Sequence, residues 1–116
     1  MSVTIYHNPK CSKSRETLAI LREHGIIPTI IEYLKSPPSP ETLKKILTLL
    51  EISPRDLMRR KESAYAENKL DNPSLSDERL ISFMVKNPIL IERPIVLANG
   101  KAVLGRPPSE VLAIID

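Results

Sequence analysis

Cys11 is the only cysteine in the chain, and the residues around it suit chemistry on an anion. The local run is Val3-Thr4-Ile5-Tyr6-His7-Asn8-Pro9-Lys10-Cys11-Ser12-Lys13-Ser14-Arg15. A β-rich stretch passes through an Asn-Pro turn to the thiol, and Glu16 to His24 then read as a helix closed by Gly25. A thiol at the first turn of a helix faces unpaired backbone N–H groups and the positive end of the macrodipole, which favour the thiolate. Lys10, Lys13, Arg15 and His7 are expected to push the same way. An inert buried cysteine is the plain alternative, but polar, cationic flanks on a loop before a helix favour a reactive one.

Other residues could join it. Arg93 lies directly before Pro94, Arg106 sits in Gly105-Arg106-Pro107-Pro108, and Arg59 and Arg60 close a short segment that starts after Ser53. Guanidinium groups are permanently charged planar forks that suit tetrahedral oxyanions. Several converging on one thiol would hold an oxyanion and lower the thiol pKa together. Taken singly, each also fits an ordinary surface residue, and sequence spacing alone does not bring them together. Pro94 opens a strand, either through a cis bond beside the site or as an ordinary trans proline. His7 can polarise the thiolate or serve as a hydrogen-bonded histidine at a strand end. His24 suits a helix C-terminus. Two histidines and one cysteine without close ligand spacing argue against a metal site such as zinc. The carboxylates form no paired constellation, and three glycines supply no phosphate loop.

These residues need elements to hold them. Residues 2–6 alternate and are β-branched, predicting a first strand; residues 13–24 predict a helix with Gly25 at C′. Thr29 to Tyr33 after Pro28 predicts a second strand, and strand–helix–strand with short links predicts a parallel βαβ unit. Ser39-Pro40 is a cap-plus-proline helix start, followed by Leu43, Ile46, Leu47 and Leu50 on one face. Ser53-Pro54 repeats the start for a short helix over about 55–61. Residues 62–75 are polar and irregular, with Tyr65 to Lys69 a helical candidate. Ser76 caps another helix with Leu80, Ile81 and Met84 inward, ending before Asn87-Pro88. Ile95 to Ala98 and Lys101 to Leu104 flank Asn99-Gly100, the strongest two-residue hairpin signal. Pro107-Pro108-Ser109-Glu110 opens a last helix through Val111, Leu112 and Ile115.

Composition narrows the function. With 116 residues the chain suits one domain with a single core. A net charge of +3, no Trp, one Phe and three Tyr supply neither a basic stripe nor a stacking platform, so no nucleic-acid partner is expected. No apolar run approaches the roughly 20 residues of a membrane span, and no signal-peptide pattern is evident, so no membrane partner is expected. One cysteine forbids an internal disulfide, which suits a reducing, cytoplasmic setting.

The chain resembles the glutaredoxin-coupled arsenate reductases (ArsC type), a branch of the thioredoxin superfamily, along essentially its whole length. The matching segments are Ile5 to Pro9 through Cys11 and Ser14-Arg15, Tyr33-Leu34 with Pro37-Pro38, Leu57 to Arg59, Asn87 to Val96, and Arg106-Pro107. The stretch Pro88-Ile89-Leu90-Ile91-Glu92-Arg93-Pro94-Ile95-Val96 is the most specific. The resemblance implies an α/β, thioredoxin-like fold: βαβ, a helical insertion at about 39–87, then ββα, forming a four-stranded mixed sheet in one domain over residues 1–116. It implies Cys11 as the nucleophile, His7 and Ser14 as stabilisers of its thiolate, and Arg59, Arg93 and Arg106 as the oxyanion ligands, with Pro94 cis. A one-residue slip in alignment would choose Arg60 over Arg59. Lys10 stands where well-known members have a small neutral residue.

The implied reaction is arsenate reduction to arsenite through a Cys11–arsenic adduct, with no bound cofactor. Ser14 in place of a resolving cysteine leaves the second thiol to come from outside; the resemblance implies glutathione and glutaredoxin as co-substrates, and a monomer is expected. Two other readings compete. One is a glutathione-linked thiol oxidoreductase of another substrate. The other is a regulator that binds RNA polymerase, but Cys11-Ser12-Lys13-Ser14 lacks the Cys-x-x-Cys redox switch of such relatives.

Overall fold

A computed structural model describes residues 2–115. Two compact units divide the chain: Met1–Ser36 together with Arg93–Asp116, and Pro37–Glu92.

The first unit is built on β1 (Val3–His7), α1 (Ser12–Glu23), β2 (Thr29–Glu32), β3 (Ile95–Ala98) and β4 (Lys101–Leu104). The sheet order is β2-β1-β3-β4. β1 pairs parallel with β2, with His7 opposite Glu32, and antiparallel with β3, with Tyr6 opposite Ile95. β3 and β4 are antiparallel across Asn99 and Gly100, both at positive φ (54° and 71°), as a two-residue turn between twisted strands requires. The sheet is therefore four-stranded and mixed, as expected, in a thioredoxin-like arrangement. One face packs its inward residues Val3, Ile5, Val96 and Ala98 with Leu18 and Leu21 of α1 and with Val111, Ile114 and Ile115. Removing this apolar surface from water stabilises the unit.

Local chemistry ends the elements where the sequence says. Gly25, at φ 73°, follows α1; its N–H donates to Arg22 O and the Ile26 N–H to Leu21 O, the paired bonds of a Schellman turn. Two expectations need correction. The 107–115 segment forms a 3-10 helix, Pro108–Ala113, rather than an α-helix, and β1 extends through His7 rather than stopping at Tyr6.

The second unit holds α2 (Pro40–Leu50), α3 (Ser63–Glu67) and α4 (Asp77–Lys86). The Ser39 side chain accepts from the Thr42 N–H at α2 and the Ser76 side chain from the Arg79 N–H at α4, satisfying donors that a helix start leaves unpaired. Leu43, Ile46, Leu47, Leu80, Ile81 and Met84 are buried. The helix expected over about 55–61 is shorter: a 3-10 turn spans Pro54–Leu57, and the chain is extended at Met58. Met58 forms an isolated antiparallel bridge with Ile91, flanked by Arg59 N–H to Leu90 O (2.7 Å) and Glu92 N–H to Leu57 O (2.8 Å). Arg59 therefore lies on a short β-paired segment, not at a helix end. Cross-chain pairing won here because the helical pattern offered only a few residues, too few to propagate. The Arg55 guanidinium joins this turn to the following segment by donating to Tyr65 Oη, Leu70 O and Asn72 O. Among the described residues no helix is long and apolar enough to cross a membrane.

Candidate active site

Cys11 is the N-cap residue of α1, with extended φ and ψ of −96° and 124°. Its own N–H donates to Asn8 O at 3.0 Å, closing the Asn8–Cys11 turn, while the Lys10 N–H donates to Asn8 Oδ1. The N-cap position aims the side chain at the open N–H groups of the first helical turn. Cys11 is buried, and burial pushes its thiol up. The Ser14 N–H, the charge and side-chain hydrogen bond of Arg93 and the Lys13 N–H outweigh that penalty. The net shift is downward from the ordinary thiol value, so the thiolate is the favoured form at lower pH than for a free cysteine.

The cations that act on the sulfur differ from those expected nearby in sequence. Lys13 acts through its backbone N–H, and the Arg15 guanidinium instead donates to Pro9 O at 3.0 Å. Lys10 is exposed. Arg93 arrives from the other half of the unit. The β1–β3 register puts Tyr6 opposite Ile95, so residues just before Ile95 meet residues just after Tyr6.

Ser14 and His7 are tied to each other and to the turn before Cys11. Ser14 is fully buried; its Oγ accepts from the Asn8 N–H at 3.0 Å and lies 2.6 Å from His7 Nδ1. Burial holds the His7 pKa below the usual imidazole value, against the pull of Glu32, with Arg22 and Arg15 reinforcing the decrease. A neutral imidazole with its proton on Nε2 accepts the Ser14 hydroxyl hydrogen at Nδ1. Histidine and serine thus fix the turn whose Ser14 N–H meets the sulfur.

Arg106 joins the same place from the end of β4, where its Nη1 donates to Arg93 O at 3.2 Å. The Arg93–Pro94 peptide bond is cis, as the resemblance implied, and so is Arg106–Pro107. Gly105 and Thr17, which no sequence motif singles out, also support this corner. The Gly105 N–H donates to Pro94 O at 2.9 Å, and Thr17, fully buried, donates from Oγ1 to Lys13 O at 2.8 Å. A Cβ on Gly105 would stand 2.4 Å from Thr17 Oγ1 and 2.8 Å from Pro94 Cγ. The available signal was a glycine ending a strand, which often marks close backbone approach.

Of the residues singled out in sequence, the first unit thus gathers Cys11, His7, Ser14, Arg93, Pro94 and Arg106. Arg59 belongs to the second unit, where its Nη1 lies 2.8 Å from Glu62 Oε2 and its Nε 3.9 Å from Glu92 Oε1. Arg60 differs from it: its side chain is 57% exposed and pairs with the exposed Asp56 at 3.6 Å. A buried thiolate beside guanidinium groups can attack an electrophilic centre bearing anionic oxygens while those groups hold its charge.

Residues 6–114 match the model of the ArsC family. This chain belongs to the ArsC family. The ArsC chain is 55% identical to the uncharacterized protein YfgD of Escherichia coli (strain K12) over 114 residues, covering 97% of this chain and 96% of that one. It is 46% identical to an arsenate reductase of Neisseria meningitidis (strain MC58), covering 97% of each. Among solved structures it superposes on an arsenate reductase from Vibrio cholerae with a TM-score of 0.97 at 53% identity, over 99% of this chain and 98% of that one. The family and its fold therefore rest on similarity along nearly the whole ArsC chain.

Proposed function

We propose that this ArsC-family protein is an arsenate reductase that uses Cys11 as its nucleophile and glutathione with glutaredoxin as external reductants. The observation that carries the reading is the place of buried Cys11 at the N-cap of α1, where the Ser14 and Lys13 N–H groups and Arg93 lower its thiol pKa. The arsenate reductases among its relatives support arsenate as the oxyanion.

The Cys11 thiolate attacks arsenic, an As–S bond forms, and an arsenate oxygen leaves as water after protonation. Arg93 and Arg106 hold the oxyanion charge that this expansion concentrates. Arg59 joins them on the resemblance of the Leu57–Arg59 segment. Ser14 cannot act as a resolving thiol, so glutathione supplies the second sulfur. Two electrons pass from the two thiols to arsenic, which leaves as arsenite, and Cys11 is left as a mixed disulfide with glutathione. Glutaredoxin with a further glutathione reduces that disulfide and restores the thiolate. The balance is one arsenate and two thiols giving one arsenite, one disulfide and one water.

The test is an arsenate reduction assay with glutathione, glutaredoxin and NADPH. Turnover is expected for the native chain, none for Cys11→Ser, and a marked loss for Arg93→Ala. A native protein that reduces no arsenate overturns this reading and leaves the fold and the thiolate geometry standing.

A further inference from the structure

β1 and β2 run parallel, and at their carboxyl ends the chain diverges into two turns. On one side the Asn8–Cys11 turn is closed by the Cys11 N–H on Asn8 O; on the other, the Lys35 and Ser36 N–H groups both donate to Glu32 O at 3.0 Å. Between them lies a cavity of about 330 Å³, lined by His7, Pro9, Lys10, Glu32, Leu34 and Lys35 among others. Its size falls at the lower end of the roughly 300–1,000 Å³ typical of small-molecule pockets, and crevices at the carboxyl ends of parallel strands are favoured binding places.

Three features assign it to the same chemistry. Lys10 is bonded directly to Cys11, and His7 belongs both to this lining and to the hydrogen bond with Ser14, whose N–H lowers the thiol pKa. The sheet order β2-β1-β3 puts this cavity on the β2 side of Cys11, whereas Arg93 enters from the β3 side. The charges are two cations and one anion, and the Glu32–Lys35 pair, at 3.6 Å with side chains 44% and 81% exposed, is weak enough to exchange for a ligand.

We propose that this cavity binds the external thiol, glutathione, with Lys10 and Lys35 on its two carboxylates and Glu32 on its ammonium. Glutathione carries that charge pattern, and Pro9 and Leu34 offer apolar surface to its backbone. The oxyanion and the thiol then reach Cys11 from opposite sides, which lets both be held at once. The inference rests on the reading that glutathione supplies the second sulfur.

The decisive experiment needs no arsenate. In thiol–disulfide exchange the Cys11 thiolate attacks glutathione disulfide, forming the Cys11–glutathione disulfide and releasing one glutathione thiolate; intact-protein mass spectrometry follows the rate. Lys35→Glu, on an exposed side chain, is expected to slow this about tenfold by exchanging attraction for repulsion. Its rate with uncharged hydroxyethyl disulfide and with iodoacetamide should match the native protein's. Lys101→Glu, an exposed reversal on β4 with the same change in net charge, should leave the glutathione rate unchanged. Equal slowing by Lys101→Glu, equal slowing with hydroxyethyl disulfide, or no slowing by Lys35→Glu each overturns the pocket assignment. The arsenate assay separates the two readings: absence of native turnover overturns the reductase, while the exchange rates still decide the pocket.

Discussion

Gly105→Ala is the perturbation whose size follows most directly from the structure. The new Cβ would stand 2.4 Å from Thr17 Oγ1, 3.1 Å from Thr17 Cγ2 and 2.8 Å from Pro94 Cγ. None of these is the free end of a flexible side chain. Thr17 is β-branched in a helix and bonded to Lys13 O, and the Pro94 atom belongs to a ring. Overpacking of this kind costs about 1–3 kcal/mol, and alanine returns about 0.4–1 kcal/mol by restricting the unfolded chain. The expected net loss is about 1–2 kcal/mol, a fall in Tm of about 4–10 °C for a domain of this size. Because Gly105 bonds to Pro94 O and is followed by Arg106, the same displacement should weaken oxyanion capture, raising KM for arsenate more than it lowers kcat. Thermal and urea unfolding followed by circular dichroism measure the first effect and steady-state assays the second. Thr17→Ala removes two of the three close contacts, so the double variant should be about 1 kcal/mol more stable than the sum of the single losses. A Tm equal to the native one, or strict additivity in the cycle, would refute the close-approach reasoning.

Other expectations concern the thiolate and its neighbours. Arg93→Ala removes both a charge and a hydrogen bond from Cys11, so the pH profile of iodoacetamide alkylation should move toward higher pH; an unchanged profile would contradict the assigned cause. His7 is held below its usual pKa when folded, so the unfolded chain binds the extra proton first. Stability should therefore be full above about pH 6.5 and decline as pH falls below it, and His7→Gln should flatten that decline in urea titrations. The Cys11 shift acts in the same direction at higher pH: stability should rise with pH from the folded thiol pKa to the unfolded value near about 8.5, a rise absent in Cys11→Ser. Arg59→Ala should raise KM for arsenate, whereas Arg60→Ala, at an exposed side chain, should leave it unchanged; the reverse result would reassign the third guanidinium.

Sequence alone determined the features that depend on near neighbours. The caps Ser39 and Ser76, the Gly25 turn after α1 and the Asn99-Gly100 hairpin are local, because each satisfies backbone groups within a few residues. The placement of Cys11 at the start of α1 was legible for the same reason, and with it the prospect of a stabilised thiolate. The family motifs added the distant arginines by resemblance. Tertiary structure decided what local pattern cannot reach. Met58–Ile91 pairing replaced the end of a helix because a long-range bridge outweighed a few residues of helical preference. Arg93, 82 positions from Cys11, became the cation on the sulfur because antiparallel β1–β3 pairing brings those segments together. Lys10, Lys13 and Arg15 looked stronger on paper, since charge in a sequence is counted by distance along the chain. A thiolate responds to distance in space, and only the packed sheet sets that.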